Sequence, residues 1–419
     1  MKELAESCTS RRSFLRFLAG SPLLSLVGVP SCTSRNSSGG GGDSGTSDLH
    51  DLGQLVSSPE DAINVFDFEA VARNTIPPAH FGYMATGVDD DATLRANRAG
   101  FGRLHLRPRR LVDVTSVDMS VELFGERWES PIVLAPAGSQ RAFHPEGEAA
   151  VARAARSKGH LQLLSTVTTT SVEDVTEARG APVWYQLYPT TRWAVTQALL
   201  RRAESAGCPV VVLTVDLPVG SNRETAERWA RIDGRDCASC HAAAGDFAGY
   251  VRRKPMFDGL DLSGLTGLDT PGLTWDFVRR LKDNTNMLVV VKGIVTREDA
   301  ARCLQHGADG IIVSNHGGRA EESGRATIRS LPEVVEAVAG QIPVLVDGGF
   351  RRGNDILKAM ALGATAICIG RPYLWGLGAF GQPGVEAVLD ILRAETELAM
   401  RLAGTPSIGA IDRSSVVRA

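Results

Sequence analysis

From residue 131 onward the chain alternates short apolar runs with amphipathic segments. The apolar runs cover 132–135, 161–164, 183–187, 210–215, 288–291, 310–313, 344–346 and 366–369. Between them lie segments such as 148–157, 192–206, 297–306 and 354–362, where apolar residues return at helical spacing. Eight runs, each followed by a helix, predict an α/β chain folded as a (β/α)8 TIM barrel. A doubly wound open sheet is the alternative, but it uses fewer strands, and no GxGxxG opens the first unit. Two regions break the alternation. Residues 60–130 hold helical stretches, with a small extended section around Ile132, and read as an N-terminal helical cap. Residues 217–273 leave the fourth strand as a segment far longer than an ordinary strand-to-helix connection, which predicts a lid loop.

The 419 residues allow one large domain plus an appendage. With 43% apolar and 22% charged residues the composition is that of a soluble globular chain. A net charge of −3 gives no electrostatic case for nucleic acid. The first residues stand apart from the fold. Ser10-Arg11-Arg12-Ser13-Phe14-Leu15-Arg16 resembles a twin-arginine export signal. The apolar run 17–29 is too short, and too interrupted by Gly20, Ser21 and Pro22, to span a membrane. Val29-Pro30-Ser31-Cys32 resembles a lipobox, with Pro30 unusual there, so membrane attachment through a lipidated Cys32 is an expectation. A plain cleaved signal or a poorly structured cytoplasmic leader is the alternative. The domain reading is therefore an export signal at 1–32, a Gly/Ser-rich tether at 33–58 and the barrel domain at 59–410. Localisation outside the cytoplasm, periplasmic or membrane-anchored, follows from that reading.

Polar chemistry collects where the strands end, which in a parallel barrel is the functional face. The third strand ends in Gln186-Leu187-Tyr188, and the fourth in Thr214-Val215-Asp216 with Arg223 a few residues on. The fifth ends in Lys292. The sixth opens into Ser314-Asn315-His316-Gly317-Gly318-Arg319, with a candidate base and a candidate carboxylate holder three residues apart. The seventh gives Asp347-Gly348-Gly349 and Arg351, and the eighth Gly370-Arg371. Glycines and arginine after the last two strands suit a phosphate, because backbone N–H groups and a helix N-terminus can approach it.

These motifs, with Ala135-Pro136-Ala137-Gly138, His144-Pro145-Glu146-Gly147 and Leu164-Ser165-Thr166, resemble the FMN-dependent α-hydroxy-acid oxidising family over roughly residues 60–410. That family includes glycolate and lactate oxidases, mandelate dehydrogenases and flavin-haem lactate dehydrogenases. The resemblance implies FMN as cofactor and a small L-2-hydroxy acid (lactate, mandelate or longer-chain type) as substrate. It implies that His316 is the active-site base, acting through a carbanion or alongside hydride transfer, and that Asp216 hydrogen-bonds it. Arg319 and Arg223 match the arginines that hold the substrate carboxylate, and Tyr83 and Tyr188 match phenols that hydrogen-bond the substrate. Lys292 matches the lysine beside the flavin pyrimidine ring. Pro136, Ala137, Gly138, Ser165, Gln186, Thr214 and Ser314 match flavin-contacting positions. Asp347, Gly348, Gly349, Arg351, Gly370 and Arg371 match the ribityl and phosphate site. Oxygen, a quinone or a cytochrome is the expected electron acceptor, and a homo-oligomer, as a tetramer, the expected assembly. No metal site is assigned.

Each assignment has a bland alternative. Asp216 could cap a turn, Arg223 could be a solvated loop charge, and Tyr83 could be a core residue of the cap. A flavin barrel without net oxidation, of the isopentenyl diphosphate isomerase type, needs neither the arginine pair nor the SNHGGR base. A lipid-anchored binding protein that lost turnover would not need the complete set. Two departures from the family pattern bear on substrate size. Gly138 stands where many family oxidases have alanine, and Val167 replaces an aromatic found in glycolate oxidases, so a roomier chamber is expected. Cys237-Ala238-Ser239-Cys240-His241 has the CxxCH pattern of c-type haem attachment. No small cytochrome domain surrounds it, no axial ligand is evident, and haem attachment conflicts with export of a folded chain. A disulfide or metal-binding pair in the lid fits better. Cys208, Cys303 and Cys368 sit in apolar patterns and read as core.

Overall fold

The computed structural model describes residues 56–235, 247–268 and 270–419. The export motif, the Cys32 lipobox and the CxxCH all lie outside these residues.

Eight parallel strands close into a barrel. They are β1 (Ile132–Leu134), β2 (Leu161–Ser165), β3 (Trp184–Leu187), β4 (Val210–Thr214), β5 (Leu288–Ile294), β6 (Gly310–Val313), β7 (Val344–Asp347) and β8 (Ala366–Ile369). Each strand pairs with its sequence neighbour, and β8 returns to β1. The helices between them, such as Gly147–Lys158, Trp193–Ser205, Arg297–Gln305 and Gly353–Ala361, agree with the periodic segments to within about two residues.

The side-chain period of two explains both the core and the site. Val133, Leu161, Leu163, Trp184, Val210, Val212, Val290, Ile312, Leu345 and Ala366 fill the barrel interior. Two residues beyond the last apolar member of six strands lie Ser165, Gln186, Thr214, Lys292, Ser314 and Asp347, all buried. The alternation therefore ends in one polar layer, which becomes the floor of the mouth. At the other end a hairpin, Val121–Leu123 with Glu126–Trp128, plugs the barrel. Leu123 joins the interior core, and Phe124 packs on Trp184 with ring centroids 5.4 Å apart.

Three features differ from the expectation. The extended section of the cap is this hairpin rather than a segment at Ile132, which belongs to β1. The domain does not stop at 410, because Val416–Arg418 pairs antiparallel with Leu104–Leu106. The lid carries helices, Glu224–Arg231 and Phe247–Arg252, rather than loop alone. The first of these docks on the cap. Trp229 packs tilted against Phe81 with ring centroids 5.4 Å apart, Asn222 Nδ2 donates to Asp89 at 2.7 Å, and Thr225 Oγ1 donates to Asp91 at 3.1 Å. The cap itself is the three helices Val65–Thr75, Pro78–Ala85 and Ala92–Ala99. Among the described residues, no helix is long and apolar enough to cross a membrane.

Candidate active site

A cleft open to solvent occupies the mouth of the barrel. Its lining draws on Tyr83 of the cap and on the ends of β1, β2, β3, β5, β6, β7 and β8.

His316 begins the turn after β6 with φ of 58°, a left-handed conformation uncommon for a side-chain-bearing residue. The turn is over-determined from outside. Asn315 and Asn97 exchange two amide hydrogen bonds, at 2.8 and 3.0 Å. Ser314 Oγ accepts from the His316 N–H at 3.0 Å. The imidazole faces Asp216 through Nδ1 at 2.9 Å and Tyr188 Oη through Nε2 at 3.2 Å. A carboxylate only accepts, so Nδ1 carries the proton and Nε2 keeps its lone pair toward the cavity. Burial holds the His316 pKa below its ordinary value, with the Asp216 charge opposing and Lys292 reinforcing the shift. The ring is therefore neutral at pH 7 and ready to accept a proton.

Asp216 is no turn cap. Its side chain is 4% exposed and lies 3.8 Å from Lys292 Nζ. Burial pushes its pKa up, but His316 and Lys292 more than offset this and leave it below the ordinary carboxylate value. Gly293 makes that approach possible, because a Cβ there would stand 2.7 Å from the Asp216 Cβ. Lys292 in turn donates to Ser314 Oγ at 2.9 Å and pairs with Asp347 at 3.4 Å. Burial works against its charge, yet Asp347 and Asp216 raise its pKa overall. Ser165 donates to Gln186, which donates to Thr214 at 2.9 Å, completing the floor.

Arg319 and Arg223 meet on Tyr83. Their guanidinium carbons lie 4.6 and 5.9 Å from its ring centroid. Burial, then the like charge of Arg223, pushes the Arg319 pKa down to about 10. Arg319 lines the cleft and Arg223 approaches the same Tyr83 ring, so two cations stand near a place that one carboxylate could take. Arg223 is half-buried rather than a solvated loop charge, because the lid helix it precedes is docked on the cap. Tyr83 is likewise a cavity residue and not cap core.

The residues fit the FMN that the sequence resemblance implies. Pro136, Ala137 and Gly138 line the cavity, as do Ser165, Lys292 and Asp347 of the polar layer. Asp347 Oδ1 is buried and makes no hydrogen bond, which leaves an acceptor for a hydroxylated chain. At the far end burial holds Arg351 down to about 10, a cation suited to an anion. Gly349 lies there with φ of 84°, where a Cβ would stand 2.2 Å from the Asn97 carbonyl oxygen. Gly370 precedes the helical stretch Arg371–Ala403, which is two helices joined at a kink at Phe380 and Gly381, and it borders open space, so the N-terminus of the first helix faces the same end. Arg371 lines the cavity, but its guanidinium donates to the carbonyls of Met84, Thr86 and Gly317.

Gly138 does not enlarge the chamber as expected. A Cβ there would stand 2.4 Å from Val167 Cγ2, so Val167 already fills the room the glycine leaves. Several positioning residues had escaped the sequence reading. Asn97 had no local signal. Glu148 is fully buried and accepts from Gln140 N, Thr169 N, Thr169 Oγ1 and Thr170 Oγ1, tying the β1 and β2 loops together. Glu322 accepts from the N–H groups of Ala92 and Thr93 at the start of the third cap helix. Lys254 of the lid donates to Ser139 Oγ at 2.6 Å and lies 4.6 Å from the centre of the Tyr250 ring.

Residues 72–418 match the family described as FMN-dependent dehydrogenase. The chain is 42% identical over 362 residues to a peroxisomal (S)-2-hydroxy-acid oxidase of Oryza sativa subsp. japonica, covering 85% of this chain and 96% of that one. It is 42% identical to a glycolate oxidase of Spinacia oleracea, covering 84% and 95%. It is 40% identical to an L-lactate oxidase of Nostoc sp., covering 86% and 98%. Among solved structures, mandelate oxidase with benzoyl-formic acid superposes with a TM-score of 0.75 at 39% identity, covering 85% and 98%.

Proposed function

The chain belongs to the FMN-dependent dehydrogenase family, and from that premise we propose that it oxidises an L-2-hydroxy acid to the 2-oxo acid. The observation that carries this is the buried relay from Asp216 through His316 Nδ1, with Nε2 presented to the cavity beside Arg319. FMN, when bound, supplies the two-electron acceptor for the substrate α-carbon. Arg319 and Arg223 hold the carboxylate, and Tyr83 and Tyr188 orient it and the hydroxyl. His316 Nε2 takes a proton, and Asp216 stabilises the imidazolium that results. Lys292 keeps a positive charge in the floor, held there by Asp347 and Asp216. Pro136, Ala137, Gly138, Ser165, Gln186, Thr214 and Ser314 surround the ring system of the cofactor in this reading, with Arg351, Gly348, Gly349 and Gly370 around its phosphate end.

Substrates of the lactate, mandelate or longer-chain type remain the proposal. Because Val167 fills the space beside Gly138, glycolate belongs in the same panel. Oxygen is the acceptor we favour, in line with the oxidases among the relatives. Export through Arg11-Arg12, lipid attachment at Cys32 and assembly as a tetramer complete the proposal. The exposed Leu111, Leu398 and Leu402 support an assembly surface.

Anaerobic mixing with 2-hydroxy acids is expected to bleach the flavin absorbance near about 450 nm. No bleaching by any 2-hydroxy acid in fully loaded protein refutes the reading. His316→Ala is expected to stay yellow and lose the bleaching; a variant reduced at the normal rate means His316 is not the base.

A further inference from the structure

Arg371 follows the glycine at which the long C-terminal helix begins, the position that the family resemblance gives to the phosphate. All three of its side-chain nitrogens are turned elsewhere. Nε donates to Met84 O at 2.9 Å, Nη2 to Thr86 O at 3.0 Å and Nη1 to Gly317 O at 2.9 Å. Arg319 approaches the same stretch from the turn, donating to the carbonyls of Tyr83 and Met84. Met84 O is thus shared by both arginines. The cap segment 83–86 carries Tyr83, and Gly317 directly follows His316. A planar fork with five donors can span three carbonyls at fixed angles, whereas an ammonium cannot.

We propose that Arg371 is a positioning residue of the substrate site, clasping the cap segment that carries Tyr83 to the turn that carries His316 and Arg319. The proposal rests on the FMN-dependent reading of the cavity. It assigns the side-chain contact with phosphate to Arg351, and to Arg371 only its main-chain N–H at the helix start. Arg371 is half-buried; desolvation disfavours its charge, and Arg319 and Arg351 add repulsion. The three charge-assisted bonds to carbonyls offset that cost. Without them the cap and the turn lose one of their two arginine links, and the Tyr83 phenol loses its fixed position over the carboxylate site.

The test compares Arg371→Lys with Arg351→Lys and reads two affinities, neither of which needs turnover. FMN affinity is measured by quenching of flavin fluorescence, which also reports that each variant folds. Binding of oxamate, an unreactive isostere of a 2-oxo acid, is measured from the perturbed flavin spectrum in FMN-saturated protein. Arg371→Lys is expected to weaken oxamate by about ten- to a hundredfold and to change FMN affinity by no more than about threefold. Arg351→Lys is expected to show the reverse. Oxamate binding unchanged in Arg371→Lys overturns the proposal, as does a loss of FMN affinity equal to that of Arg351→Lys. Tyr83→Phe gives a second reading. If Arg371 acts through Tyr83, the double variant binds oxamate about as weakly as the worse single variant; additive losses overturn the clasp. A wild-type protein that no 2-hydroxy acid reduces removes the catalytic reading itself, a result separate from either affinity.

Discussion

Replacing Asp216 with asparagine keeps the shape of the relay and removes its charge. The carboxylate stands 2.9 Å from His316 Nδ1 with its side chain 4% exposed, so solvent screens the pair little. Unit charges about 4 Å apart at an effective dielectric of about 20 interact by about 4 kcal/mol. An amide retains part of this as a neutral hydrogen bond, so about 3 kcal/mol of imidazolium stabilisation is lost. That corresponds to on the order of a hundredfold in rate. The amide also faces a conflict. If its oxygen accepts from Nδ1–H, its NH2 is turned toward Lys292, which approaches the Asp216 carboxylate at 3.8 Å. If it turns over, the imidazole must adopt the other tautomer and Nε2 ceases to be a base. The assay is stopped-flow flavin reduction without oxygen, across pH. In the wild type the rate rises with pH as His316 loses its proton, and its lowered pKa places that rise on the acid side of 6.5. Asp216 opposes that lowering, so the variant's acid limb is expected to move to still lower pH while the plateau falls. A plateau within about tenfold of wild type, with the limb unmoved, refutes the role given to Asp216.

Gly138→Ala places a Cβ 2.4 Å from Val167 Cγ2 and is expected to cost about 1–3 kcal/mol by overpacking. Val167→Ala in the same chain is expected to recover most of it; thermal unfolding of the single and double variants checks this, and strict additivity contradicts it. Gly349→Ala meets both a φ of 84° and the Asn97 carbonyl at 2.2 Å, so the purified variant is expected to lack FMN, as read from the ratio of flavin to protein absorbance. Tyr188→Phe removes the phenol 3.2 Å from His316 Nε2 and is expected to lower kcat/KM by about five- to tenfold with FMN content unchanged.

Much of the fold was legible because a barrel strand repeats one simple rule. In 210–214 every second residue, Val210, Val212 and Thr214, faces inward, and the change from apolar to polar marks the mouth. The same step appears at Val290 to Lys292 and at Ile312 to Ser314. On the sequence the strand ends marked Gln186, Thr214, Lys292, Ser314 and Asp347, whereas Ser165 entered only through the family resemblance. The hairpin at Val121–Leu123 was missed because its strands have three residues each, too few for a period to register. Val416–Arg418 was missed for the same reason.

The sequence by itself determined the barrel, the order of its strands and the identity of the residues at their ends, because these depend on local periodicity and on the handed closure of parallel strands. Tertiary structure alone decided the rest. It docked the lid helix on the cap and so brought Arg223 to Tyr83. It joined Asn97 to Asn315, 218 positions apart in the chain. It let Val167 fill the room beside Gly138, and it turned the Arg371 guanidinium toward the carbonyls of Met84, Thr86 and Gly317. Each of these is a contact between segments whose spacing along the chain carries no trace of their distance in space, so only packing could fix them.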